Sequence, residues 1–320
     1  MDYINILICS DKNYIMPTAV LLKSLSLNNR TILNNSDEDL TAVKSNTSIY
    51  TIDNLNINVY ILNSDLDDSD ISNLKHIVNE RNLNIISLKV NEDDFKDLPV
   101  SGHISKSAYY RILASELLPE TVDRVLYLDC DIIINGSIKE LYFEDFEDNY
   151  LIACEDKVIS CSDEKVYKNL SLDISKDKYF NSGVILFNIK ALRNINNFKN
   201  KLFQYIEQNN NKFIFHDQDI LNGFFKGKVK FADYFIYNNL VKWITNKSDL
   251  KNAYEKTVVF HYADKWKPWK HNYIGYADEI FWKYACLTDY KSLYKKYKYK
   301  HFFRKLIPFN VLRKIKRLLF

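Results

Sequence analysis

Residues 124–134 read Arg-Val-Leu-Tyr-Leu-Asp-Cys-Asp-Ile-Ile-Ile. The apolar run Val125–Leu128 reads as a buried strand that runs straight into Asp129-Cys130-Asp131. In an extended chain residues i and i+2 face the same side, so this spacing sets two carboxylates together at a strand end. Such a pair repels itself unless a cation lies between, and oxygen ligands there suit Mg²⁺ or Mn²⁺. A solvated turn carrying two acids is the alternative.

Working outward, the chain alternates strands and helices. Asn5–Cys9 is a short apolar strand, followed by the punctuation Ser10–Asn13 and a helical pattern over Tyr14–Leu27. Ile57–Leu62 and Asn84–Val90 are further strands, with a helix over Ser69–Arg81 between them. Ser105–Leu118 reads as a helix closed by Pro119, with Ser105 as its cap, and Tyr150–Cys154 is another strand. Beyond residue 156, Phe180–Asn188 and Thr257–Tyr262 read as strands and Phe198–Gln208 as a helix. This order predicts an α/β fold, Rossmann-like, with a mainly parallel sheet and helices on both faces. Ligands in such sheets bind beyond the carboxyl ends of the strands. The polar segment Asn28–Leu55 is expected to be a long surface loop.

Composition excludes several classes. Of 320 residues 47% are hydrophobic, enough to form a core, and 6 Gly and 5 Pro rule out a collagen-like chain. No G-x-G-x-x-G, phosphate-loop or G-x-S-x-G motif is present, which speaks against a dinucleotide dehydrogenase, a P-loop NTPase or an elbow hydrolase. The five cysteines (Cys9, Cys130, Cys154, Cys161 and Cys286) include no C-x-x-C pair, so a reducing cytosol is the plain expectation. Neither a signal peptide nor a membrane-spanning stretch is expected.

Charge is uneven. Residues 291–320 hold 11 Lys or Arg and no acid, against 33 basic and 41 acidic side chains in the rest. A basic tail interleaved with Phe302, Phe303, Leu306, Ile307, Val311 and Ile315 suggests an anionic surface as partner. We read it as a basic amphipathic segment for an anionic membrane. Nucleic acid is the rival, disfavoured because it leaves the carboxylate motifs unexplained.

Other polar clusters follow apolar runs. His261 ends Val258–Phe260 and could complete a metal site, where an imidazole beside two carboxylates favours Mn²⁺ over Mg²⁺. A core histidine is the alternative. Lys267 could neutralise a phosphate as a point charge. Asp217 and Asp219 flank Gln218 at an expected helix N-terminus, where acids suit the dipole. Gly183, inside Phe180–Val184, marks a bulge or a close backbone approach.

Taken in order, ICSDKNY (8–14), HISKSAYYR (103–111), LYLDCDIII (126–134), FNSGV (180–184), DQDILN (217–222) and HYADKWKPW (261–269) resemble glycosyltransferase family 8. These are retaining enzymes of the galactosyltransferase, lipopolysaccharide glucosyltransferase and glycogenin type. The resemblance implies a GT-A domain over 1–288, with a nucleotide-binding half (1–156) and an acceptor half (157–288), followed by the tail 289–320. It implies that Cys9, Asp11 and Asn13 hold uridine, and that Asp129, Asp131 and His261 bind Mn²⁺, or Mg²⁺, on a UDP diphosphate. It implies donor-sugar contacts from Arg111, Asn181, Ser182 and Asp217, a phosphate contact from Lys267 and an acceptor contact from His103. Gln218 would face the anomeric carbon, with Asp156 near the sugars. Two positions depart from the family pattern: Asp264 stands at or beside a usual Gly, and Ser182 where Ala is frequent.

The expected activity is therefore metal-dependent transfer of glucose or galactose from a UDP-sugar to a cell-surface glycan or glycolipid, α-linked. The expected location is the cytoplasmic face of a membrane. An amide is a poor nucleophile, so same-face attack is expected, with Gln218 and Asp217 stabilising the cation-like sugar. Self-glucosylation of the glycogenin kind is the rival within enzymes.

Overall fold

The computed structural model describes residues 3–29, 55–91, 93, 107–162, 172, 174–209, 212–270, 275–295 and 297. Ten strands follow in chain order among them: β1 (Ile4–Cys9), β2 (Ile57–Asn63), β3 (Leu83–Lys89), β4 (Val125–Leu128) and β5 (Ile132–Ile134). Then come β6 (Leu151–Glu155), β7 (Phe180–Phe187), β8 (Val229–Ala232), β9 (Asn239–Leu240) and β10 (Val259–His261).

Seven of them form one sheet in the order β3-β2-β1-β4-β7-β6-β8. β1, β2, β3 and β4 run parallel, as do β6 and β8, while β7 lies antiparallel to both β4 and β6. The sheet is thus mainly parallel, with helices on both faces, as the alternating pattern predicts. The expected division at residue 156 falls inside this sheet, because β7 inserts between β4 and β6.

Continuous apolar runs are what a sheet covered on both faces requires. Ile6 and Ile8 of β1, with Leu126 and Leu128 of β4, pack into one core; Leu7, Cys9, Val125 and Tyr127 point into the opposite one. Each fully buried large apolar side chain contributes roughly 1.5–3 kcal/mol. The helix Ile15–Leu27 covers the first face, and the helix Asp68–Val78 is closed at its start by a reciprocal Asp67–Asp70 capping box.

The helix read over Ser105–Leu118 is described from Ser107 and tightens into a 3₁₀ turn at Arg111–Leu113. It ends at Leu118, which is extended ahead of Pro119. The single strand expected in 124–134 is two strands, because the chain leaves the large sheet at Asp129 and enters a second sheet of order β5-β10-β9.

A third core lies under the small sheet, built from Ile133, Phe260, Tyr262 and the helix Asp278–Ala285. Leu293, Tyr294 and Tyr297 pack against it, and the Tyr297 ring stacks on Trp282 at 4.9 Å. The first turns of the basic segment are therefore part of the body, and residues 298–320 lie outside the described residues. So do most of the Asn28–Leu55 loop (30–54), the cap Ser105 and the expected acceptor residue His103. Among the described residues no helix is long and apolar enough to cross a membrane.

Candidate active site

The site forms where the two sheets part. Asp129 follows β4 and Asp131 precedes β5. β5 pairs antiparallel with β10, which sets Ile132 opposite His261. The Tyr262 amide donates to the Asp131 carbonyl at 3.0 Å and locks this junction. Ligand atoms of Asp129, Asp131 and His261 lie within 4.8 Å of one another. His261 Nε2 is 3.2 Å from Asp131 Oδ1 and 3.6 Å from Asp129 Oδ2.

These residues fit a divalent cation. Among the described residues Asp131 Oδ1 and His261 Nε2 are buried with no hydrogen-bond partner, although buried polar atoms are nearly always satisfied. Two carboxylates and one imidazole are a hard, oxygen-rich donor set for which Mn²⁺ or Mg²⁺ is suited.

Each carboxylate is braced from behind. Asp129 Oδ1 accepts from Arg111 at 2.9 Å and from the Tyr127 hydroxyl at 2.5 Å. Asp131 Oδ2 accepts from Lys267 Nζ at 2.5 Å, and Lys267 also donates to the Tyr262 carbonyl. Burial opposes ionisation of Asp131, but the Lys267 ammonium, by its charge and its hydrogen bond, outweighs it and holds its carboxyl well below the usual range.

Arg111 is 5% exposed. Besides Asp129 its guanidinium bonds the Ser182 carbonyl at 2.7 Å, lies 3.1 Å from Asp217 Oδ2, and stacks over the Tyr127 ring. This residue, expected to touch the donor sugar, clamps two carboxylates. Asp217 is almost as buried, and burial, with Asp129 nearby, pushes its carboxyl up to about 6 despite Arg111.

Gln218 is the second residue of the helix Asp217–Phe224, whose preceding residue His216 has φ +50°. Its Oε1 accepts from the Ser182 amide at 3.0 Å, and its Nε2 donates to Asp156 Oδ2 at 3.0 Å and to the Tyr179 hydroxyl at 3.3 Å. Tyr179 in turn donates to Asp219 at 2.5 Å; burial and the Asp219 charge raise its phenol, so it stays an O–H donor. Asp156 caps the short helix Lys157–Ser160 with Oδ1 and receives Asn181 Nδ2 and Gln218 with Oδ2. Its Oδ2 thus holds the Gln218 amide.

Of the remaining expected residues, Asp11 caps the turn Lys12–Tyr14 by accepting from the Asn13 amide. Cys9 ends β1, buried, with its thiol raised by burial. Asn181 is hydrogen-bonded to protein through both ends of its amide. Asp264 Oδ1 accepts from the next amide, Lys265 N–H. Sequence reasoning did not single out Tyr127, Tyr179 or Asn238. Tyr127 had a signal, since it lies two residues before Asp129 on the same side of the strand.

Gly183 is the close approach its sequence position suggests. A Cβ there would lie 2.2 Å from His261 Cε1 and 2.8 Å from Asp129 Oδ2. Across from it the β6–β7 register shifts at Ala153/Cys154. Gly183→Ala is expected to weaken divalent-ion affinity at least about tenfold, since it displaces a ligand directly. Calorimetric titration with Mn²⁺ checks this; parental affinity would show that the strand can yield.

Comparison with known proteins agrees with this geometry. The profile described as Glycosyl transferase family 8 matches residues 5–273. A lipopolysaccharide 1,2-glucosyltransferase of Escherichia coli K12 is 27% identical over 319 residues, covering 94% of this chain and 85% of its own. A Haemophilus influenzae protein assigned to the glycosyltransferases is 30% identical over 67% of this chain; the alignment covers 64% of that protein, just under two thirds. The crystal structure of the galactosyltransferase LgtC with donor and acceptor sugar analogues has a TM-score of 0.69 at 25% identity, covering 89% of this chain and 96% of its own. The match over residues 5–273 and the shared strand architecture show that the chain belongs to glycosyltransferase family 8 and has its GT-A fold.

Proposed function

We propose that this glycosyltransferase moves glucose or galactose from a UDP-sugar to a glycan or glycolipid acceptor, with the α configuration kept and with Mn²⁺ as the cofactor. The observation that carries the reading is the pair of orphaned buried atoms, Asp131 Oδ1 and His261 Nε2, facing Asp129. Arg111 and Ser182 then connect this cluster to the fixed amide of Gln218. The sugar choice draws on the relatives, one a glucosyltransferase and one a galactosyltransferase.

Asp129, Asp131 and His261 would hold the ion, which when bound supplies Lewis-acid stabilisation of a departing diphosphate. Lys267 adds positive charge beside Asp131. Gln218 Oε1, held by the Ser182 amide, presents a fixed partial negative charge toward a cation-like sugar. Asp217 adds a carboxylate kept close by Arg111. Cys9 ends β1 and Asp11 and Asn13 follow it; ligands in such sheets bind beyond the carboxyl ends of the strands, which supports a nucleotide contact there.

The test is release of UDP from UDP-glucose and UDP-galactose, with and without Mn²⁺. We expect release for one of them, dependent on Mn²⁺ and accelerated by a glycan acceptor. No release from either, with or without the ion, would overturn the reading.

The basic segment is proposed to hold the enzyme at an anionic membrane on the cytoplasmic side. Each Lys or Arg near such a surface is worth roughly 1 kcal/mol before salt screening. Removing everything after Asp289 would strip Tyr294 and Tyr297 from Trp282, so the informative truncation ends at residue 297. That form is expected to hydrolyse donor normally but to leave anionic liposomes in a flotation assay. Continued flotation would show that the tail is not the anchor.

A further inference from the structure

We propose that Asn238 is a positioning residue: it sets the tautomer in which His261 meets the metal and joins that ligand, through Asn181 and Asp156, to the orientation of Gln218. The proposal rests on the metal-dependent reading above and deepens it.

The deduction starts from Asp156, because an ionised carboxylate only accepts hydrogen bonds. Its Oδ2 lies 3.2 Å from the Asn181 amide, so the nitrogen of Asn181 must face it. Asn181 Oδ1 then points the other way, where the Gly183 amide donates to it at 3.0 Å. That backbone donor fixes the same orientation independently. Asn238 lies 2.9 Å from the same oxygen and must present its nitrogen. Its Oδ1 is therefore what lies 2.8 Å from His261 Nδ1. An oxygen acceptor there requires a proton on Nδ1, so that in the neutral ring Nε2 is the bare nitrogen turned toward Asp129 and Asp131. On the far side of Asp156, the same acceptor-only carboxylate turns the nitrogen of Gln218 inward and its carbonyl oxygen toward Ser182.

One anion thus orients three amides and one imidazole in sequence. Asn238 is 2% exposed and both ends of its amide are engaged in this chain. Its place is set by the backbone: it follows the turn Tyr234–Tyr237, capped by Asp233, and precedes β9, which pairs with β10 beside His261. A metal-bound imidazole held through its other nitrogen is the usual means of fixing ligand geometry.

Two substitutions separate the two connections. In Asn238→Asp a carboxylate still accepts from His261 Nδ1–H but cannot donate to Asn181. In Asn238→Leu both bonds are lost. We expect ¹⁵N NMR of the histidine rings, recorded without metal, to show the Nδ1–H tautomer of His261 in the parent and in Asn238→Asp, and a mixture in Asn238→Leu. Calorimetry with Mn²⁺ should give near-parental affinity for Asn238→Asp and a loss of about tenfold to a hundredfold for Asn238→Leu. Asn238→Asp should still lose about tenfold in kcat with little change in donor KM, because the introduced carboxylate repels Asn181 Oδ1 and disturbs the Asn181–Asp156 pair on which Gln218 rests. An unchanged tautomer and affinity in Asn238→Leu, or equal loss of affinity in both variants, would overturn the proposal. A parent that binds no Mn²⁺ would instead overturn the metal reading, while the tautomer measurement would still decide the role of Asn238. Should Asn238→Leu fail to fold, Asn238→Asp decides alone: a shifted tautomer or an unchanged kcat would overturn the proposal.

Discussion

His261→Ala is expected to abolish sugar transfer and to lower Mn²⁺ affinity by more than about a hundredfold. The imidazole offers one of the three candidate ligand atoms, and among the described residues its Nε2 has no hydrogen-bond partner. The substitution leaves the buried charges balanced, since Asp129 keeps Arg111 and Asp131 keeps Lys267. Asp129→Asn and Asp131→Asn should also abolish transfer, but neither is neutral for the fold. Each removes a negative partner of a cation that is less than a tenth exposed, although Arg111 keeps Asp217. Breaking a buried pair from one side costs on the order of 3 kcal/mol, so these two should melt several degrees lower than His261→Ala. Thermal melting beside calorimetry separates the two effects. Full activity of the parent in EDTA would remove the metal from the mechanism, and an unchanged affinity in His261→Ala would remove the imidazole from the site.

How much of this was legible in the sequence depends on how far apart the interacting residues lie. The strands of the large sheet were legible because burial on both faces forces continuous apolar runs, as in β1 and β7. Their directions were not: an apolar run such as β7 reads the same whether it lies parallel or, as found, antiparallel between two neighbours. Asp129 and Asp131 stood out because a buried strand ends on them. His261 remained open between ligand and core residue, since the pairing that decides it joins β10 to β5 across more than a hundred positions. Arg111, Asn181 and Asp156 were visible as residues, but their partners were not. Asn238 left no trace, because an asparagine before a short strand is ordinary in sequence. Only its burial between Asn181 and His261 gives it a role.

Gln218→Ala is expected to lower kcat on the order of a hundredfold to a thousandfold while leaving donor KM nearly unchanged, and the parent product is expected to be α-linked. The amide is held at both ends before any substrate arrives, with its nitrogen on Asp156 and Tyr179 and its oxygen on Ser182. A dipole fixed in this way is oriented during folding and acts most strongly when positive charge develops on the sugar. Gln218→Glu probes the same contact from the other side. It replaces an N–H donor 3.0 Å from Asp156 with a second carboxyl group, and two carboxylates so close share one proton. With that proton present, the introduced carboxyl group can donate to Asp156 as the glutamine does, and the geometry survives. As pH rises and the proton leaves, repulsion drives the new side chain away. The kcat of Gln218→Glu relative to the parent should therefore fall from about pH 5 to pH 9, across the range above ordinary carboxylates. A flat ratio over that range would show that residue 218 does not rest on Asp156 in the working enzyme. A β-linked product from the parent, read from the anomeric proton coupling, would overturn same-face attack. A glycosyl adduct on Asp217 or Asp219 of the parent would replace it with a covalent route, in which Gln218 only steadies the helix start.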